Sequence, residues 1–76
     1  MTAKECVIER IKRICTDRNI SMYELSKISG VSYSTLYSAV TSKQKDISIR
    51  TVIRLCEGIG MSMVDFFDSP EFDNLK

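Results

Sequence analysis

The 76-residue chain predicts an all-α domain of five short helices. Three observations carry that expectation. A Ser or Thr followed three residues later by Glu, Asp or another hydroxyl recurs at Thr2–Glu5, Ser21–Glu24, Ser32–Thr35, Ser48–Thr51 and Ser62–Asp65. Each is where a helix needs an N-cap, and the first two are full capping boxes. The apolar residues that follow recur at helical spacing. No stretch alternates with the period of two that a strand requires.

Helix 1 is expected over residues 3–18, with Val7, Ile11, Ile14 and Cys15 on one stripe and Arg10, Lys12, Arg13 and Arg18 outside it. Helix 2, over 22–29, turns Leu25 and Ile28 inward, and Gly30 follows it where a left-handed residue is expected. Helix 3, over 33–42, buries Leu36, Ala39 and Val40. After the polar loop "KQKD", helix 4 over 49–58 is apolar around much of its circumference and should be the most buried. Gly60 stops it, and Met63, Phe66 and Phe67 mark a short helix 5. Pro70 ends regular structure, which divides the chain into a domain at 1–68 and an acidic tail at 69–76.

Composition excludes several classes of function. At this length a single domain buries about 60% of its unfolded surface, and 43% hydrophobic with 28% charged residues is ordinary for a soluble protein. No apolar run approaches the roughly 20 residues of a membrane span. The three cysteines Cys6, Cys15 and Cys56 are odd in number and widely spaced. They read as reduced thiols of a cytoplasmic protein. Cys15 and Cys56 fall at core positions, whereas Cys6 is expected near the surface. The chain has no histidine, so the usual base for a nucleophilic Ser or Cys is absent. No cysteine pair has zinc spacing and no glycine-rich loop is present, so no catalytic residue, metal, cofactor or small-molecule substrate is expected. Charge is unevenly spread. Residues 1–54 hold ten Lys/Arg against five Asp/Glu, and residues 55–76 hold one against five. A basic body with an acidic end suits an anionic partner on one face.

The segment "SMYELSKISGVSYSTLYSAV" is the most informative. "SGVS" leaves only about three residues between helices 2 and 3, too few for them to lie antiparallel, so they must cross steeply. Helix 3 then stands out from the body. Its outward residues are Tyr33, Ser34, Tyr37, Ser38 and Thr41, without a single charge. Serine and threonine hydroxyls donate or accept hydrogen bonds, and tyrosine adds flat apolar area with one polar tip. A face that must approach base edges past a row of phosphates needs such groups and must avoid Asp and Glu. For Tyr33 and Tyr37 a simpler reading, two rings packed as an i,i+4 pair, stays open beside contact with a base or sugar.

These residues resemble the Cro/repressor-type (Xre-like) helix-turn-helix family, in a likeness that covers about residues 5–67. "ISMYELSKISGVSYSTLYSAV" follows the family's run through Leu25, Ser26, Gly30-Val31-Ser32, Leu36 and Val40. "ISIRTVIRLCEGIGMSMVDFF" is similar to its fourth helix and closing segment. The resemblance implies a five-helix, lambda-repressor-like DNA-binding domain with its helix-turn-helix at helices 2 and 3. It also implies a sequence-specific regulator, in the repressor role, with helix 3 in the major groove of double-stranded DNA. Carried over position by position, Tyr33, Ser34 and Ser38 meet base edges, and Tyr37, on the same outward face, is expected to join them. Met22, Tyr23, Ser32 and Thr41 meet phosphates, joined by Lys43, Lys45 and Arg50. Met22 and Tyr33 stand where the family often has Gln, so bidentate amide readout of adenine is missing at Tyr33. Recognition must then use hydroxyls, aromatic contact with thymine methyls, and DNA shape.

One recognition helix reads too few base pairs to find a unique site. A homodimer on a palindromic operator is therefore expected, paired through Met63, Phe66, Phe67 and Phe72. The rival class is a helix-turn-helix module used for protein–protein contact, as in an antitoxin or adaptor, which the near-neutral net charge and uncharged helix-3 face would also suit.

Overall fold

The computed structural model describes residues 2–42 and 46–74. Five helices follow in order: α1 (Ala3–Arg18), α2 (Met22–Ser29), α3 (Tyr33–Thr41), α4 (Ile49–Ile59) and α5 (Met63–Phe67). A 3-10 turn at Pro70–Asn74 follows them, and there is no strand among the described residues. Each helix opens at its expected cap. Thr2, Ser21, Ser32, Ser48 and Ser62 are extended, and each hydroxyl accepts from the amide three residues on. In the two capping boxes the return bonds run from Thr2 N to Glu5 Oε1 at 2.8 Å and from Ser21 N to Glu24 Oε1 at 2.9 Å. The bonds from Thr2 hold the Glu5 carboxyl below its ordinary pKa. Gly30 closes α2 at φ 75°, its amide bonded to Ser26 O, a left-handed geometry that most side chains would strain.

Two small-residue surfaces set the arrangement. The α2 helix packs most extensively on α4, and a methyl added at Gly58 would sit 2.6 Å from Ser29 Cα. Ser29 faces this crossing and Ser26 is buried on the same helix; their hydroxyls return to Leu25 O and Tyr23 O and so leave no unpaired polar atom. The Ile28 carbonyl also approaches Gly58, but its residue is 50% exposed, not turned inward as its spacing suggests. The α4 helix is likewise less central than its composition suggests. Val52, Leu55 and Cys56 are buried, but Ile49 and Ile53 sit on a flank that no helix covers.

The most buried helix is α1, with seven buried residues, and two of them correct the sequence expectation. Cys6 is fully enclosed and Arg10 is only 7% exposed. For Arg10 the cause is visible: it shares a flank of α1 with Arg13, at i, i+3, and the C-terminal segment folds back over both. Arg10 Nε donates to Phe66 O at 2.8 Å and Nη2 to Asp65 O at 3.0 Å, with the guanidinium 5.8 Å from the Phe66 ring centre. A five-residue helix leaves its last carbonyls without partners, and Arg10 supplies them. Charged donors of this kind contribute about 1.5–3 kcal/mol each.

The segment after Pro70 is therefore not a free tail. Its 3-10 turn packs on α1, Arg13 Nη1 pairs with Glu71 Oε2 at 3.3 Å, and the Ser69 hydroxyl donates to Glu71. That hydroxyl, helped by Arg13 and Arg10, holds the Glu71 carboxyl below its ordinary pKa. Phe66, Phe67 and Phe72 form a triangle of rings with centres 4.9 to 6.1 Å apart. All three cysteines are buried free thiols, and burial raises the pKa of Cys15 and Cys56.

Two outcomes follow from this packing. Gly58→Ala, which stabilises an ordinary helix, should here cost about 1–3 kcal/mol in urea unfolding because backbone must move; a stabilised variant would show that α2 and α4 do not approach this closely. The thiols should resist a chromogenic disulfide reagent at neutral pH and react only on unfolding, since all three are enclosed away from the reagent.

Candidate nucleic-acid interface

The α3 helix touches the body along one narrow stripe. Leu36 is fully buried and Ala39 5% exposed, with Val40 packed beside them. Everything else on α3 faces out or lies at the edge: Tyr33, Ser34, Thr35, Tyr37 and Thr41 are exposed and Ser38 is half-buried. Ser32 is committed to its cap, accepting from Thr35 N at 3.1 Å and donating to Thr35 Oγ1 at 2.8 Å. Thr41 donates to Tyr37 O at 2.8 Å and keeps lone pairs for an incoming donor. Among the described residues, Ser34 and Ser38 make no side-chain hydrogen bond, so both hydroxyls are available.

A groove of about 360 Å³ runs between α3 and the start of α4. Its polar walls are Ser34, Thr35, Ser38, Ser48 and Thr51, with Asp46 the one charged residue among the described ones. Helix N-termini point amide hydrogens outward, and neither α3 nor α4 carries an acid in its first turn. Arg50, on the first turn of α4, is exposed near this end. Lys43 and Lys45, the other expected phosphate contacts, lie outside the described residues.

The expected residues divide into three groups. Tyr33, Ser34, Tyr37 and Ser38 do share one surface. Met22 is half-buried and packed against the core, and its sulfur lies 3.7 Å from Cys15 Sγ, which leaves little of it for a phosphate. Tyr23 is 53% exposed but joined to helix 3: its ring stands edge-on to Tyr33 at 5.7 Å, and Tyr33 lies 5.8 Å from Tyr37. Lys27 Nζ caps the far side of Tyr23 at 4.7 Å, a cation–π contact. The i,i+4 packing expected of Tyr33 and Tyr37 is present, and the three packed rings remain 42–55% exposed. Lys27 and Asp46 were not singled out from sequence. The Tyr23–Lys27 spacing of four was legible there; the entry of Asp46 into the groove depends on loop geometry.

A short helix seated on the body, a glycine turn, and a second helix presenting an uncharged polar face define a helix-turn-helix domain. The chain belongs to the Cro/C1-type helix-turn-helix DNA-binding domains, whose family model matches residues 10–71. That family is a binding domain and not an enzyme class. The chain is also 35% identical over 57 residues to an uncharacterised HTH-type transcriptional regulator of Methanocaldococcus jannaschii. The match covers 75% of this chain and 32% of that protein, so the chain spans about a third of its relative. No solved structure gives a significant match. No helix among the described residues is long and apolar enough to cross a membrane.

Removing the middle ring tests whether the tyrosines touch in solution. In Tyr33→Ala, the ring protons of both Tyr23 and Tyr37 should shift towards random-coil NMR positions; unmoved resonances would mean that the three rings do not stack.

Proposed function

We propose that the chain is the DNA-binding unit of a sequence-specific transcriptional regulator acting as a repressor, with α3 in the major groove. The observation that carries this reading is the α3 surface: hydroxyls and tyrosines, no charge from Tyr33 to Thr41, and free Ser34 and Ser38 hydroxyls on an exposed helix. In this reading Tyr33, Ser34, Tyr37 and Ser38 meet base edges. Phosphates meet Thr41, Arg50, the amide ends of α3 and α4, and Lys43 and Lys45. It needs no cofactor.

Operator binding is as a homodimer, with recognition helices about 34 Å apart on a palindrome. Of the residues expected to pair the subunits, Phe66 is 1% exposed and belongs to the monomer core, and Met63 and Phe72 pack against that core. The surface left for a partner is Val64, 76% exposed, and Phe67, 38% exposed, which lie i, i+3 on α5. Val64→Asp should shift the monomer–dimer equilibrium seen in sedimentation towards monomer without disturbing the fold. Wild-type cooperativity on a palindrome in that variant would place the interface elsewhere.

The Asp46 carboxylate in the groove favours a second reading, a module that binds protein, since a phosphate would avoid it. Selection from a random duplex pool separates the two. The DNA reading expects an enriched palindrome whose binding weakens steeply with salt, and the protein reading expects no enrichment. On the enriched duplex, Tyr37→Ala and Ser34→Ala should each cost ~1–3 kcal/mol, with smaller losses on random DNA. Arg50→Ala should weaken all duplexes alike and lower the salt slope by about one.

A further inference from the structure

The exposed aromatic surface of the helix-turn-helix does not stop at α3. Tyr23 on α2 and Tyr33 and Tyr37 on α3 form a single ridge, successive ring centres 5.7 and 5.8 Å apart, with Lys27 against its outer end. Each ring is at least 42% exposed. The middle ring is held from both sides, so its rotamer is set before any ligand arrives, and little side-chain entropy is lost on binding. No acidic residue lies on α3, and the Lys27 cation attached to the ridge suits an anionic ligand. What is unusual is an apolar ridge at the centre of a surface meant for polar base edges.

The major groove carries one apolar group, the C5 methyl of thymine. Amino and carbonyl groups on the base edges give up hydrogen bonds to water for at most a weak contact with a tyrosine ring face, whereas a methyl gains from its burial. We infer that Tyr23, Tyr33 and Tyr37 form a preassembled receptor for pyrimidine 5-methyl groups. Tyr33 and Tyr37 make the contact, and Tyr23, held by Lys27, is the positioning residue that fixes the Tyr33 ring. The inference rests on the DNA-binding reading and adds the chemical feature that the site selects. Ring centres 5.8 Å apart exceed the roughly 3.4 Å rise of one base step, so the methyls lie within about two steps of each other. A ring face senses the methyl and not the hydrogen-bonding pattern beside it. The 5-methyl group of methylated cytosine at the same step is therefore an equivalent ligand, and cytosine methylation there strengthens binding.

The test uses the full chain and the duplex enriched by selection, remade with deoxyuridine for thymidine at one position at a time. Deoxyuridine removes the methyl and keeps every hydrogen-bonding group. Binding should weaken about fourfold at each contacted position, the value of one buried methyl. A contacted T·A pair replaced by 5-methylcytosine·G should bind about fourfold more tightly than the same duplex with unmethylated C·G. Tyr37→Ala should abolish the deoxyuridine effect at one position, and Tyr37→Phe should retain it, because the ring and not its hydroxyl makes the contact. Tyr23→Ala should shrink the deoxyuridine effect at the Tyr33 position, which a purely structural role would leave unchanged. Specific binding indifferent to every deoxyuridine substitution overturns the inference and leaves the DNA reading standing. So does a deoxyuridine effect that persists in full in Tyr37→Ala. A pool that yields no enriched duplex overturns the DNA reading itself, and this inference with it.

Discussion

The close approach of α2 to α4 at Gly58 is the constraint on which the rest of the molecule depends. With no side chain at Gly58 and only a hydroxymethyl at Ser29, the two helices meet backbone to backbone. A larger residue at that crossing would lift α2 away and carry α3 with it, because the left-handed Gly30 turn links them with almost no slack. The position of α3 is thus set by a residue far from it in sequence that bears no functional group.

The second organising contact is Arg10. A guanidinium in a protein interior is costly unless every donor finds an acceptor. Here the acceptors are carbonyls that a very short α5 cannot satisfy internally. The charge and the unfinished helix resolve each other's deficits, and the Phe66 ring covers both. This is why an acidic, proline-interrupted C-terminus stays on the body, and why it can leave Val64 and Phe67 at the surface while committing Phe66 to the core.

Electrostatically the face around α3 is divided. The helix itself is neutral and the amide ends of α3 and α4 are positive, with Arg50 and Lys27 at the margins. Asp46 is the exception, its carboxylate accepting from the Ile47 amide at 2.8 Å within the groove. Among the described residues, this single acid among hydroxyls weakens the attraction of the groove for a phosphate.

The sequence by itself determined where each helix begins, because an N-cap is a local bargain between a hydroxyl and an amide three residues away. Capping at Thr2, Ser21, Ser32, Ser48 and Ser62 needs nothing beyond its own turn. The glycine turn and the uncharged outward face of α3 were legible for the same reason. Which flank of each helix is buried was not. Ile28, Ile49 and Ile53 are as apolar as any core residue yet lie exposed, and at the α2–α4 crossing it is Ser29 and Gly58 that meet. Arg10 is buried because α5 returns to α1 from more than fifty residues away. The tyrosine ridge needed both levels: i,i+4 spacing placed Tyr33 over Tyr37, and only the meeting of α2 with α3 brought Tyr23 alongside them.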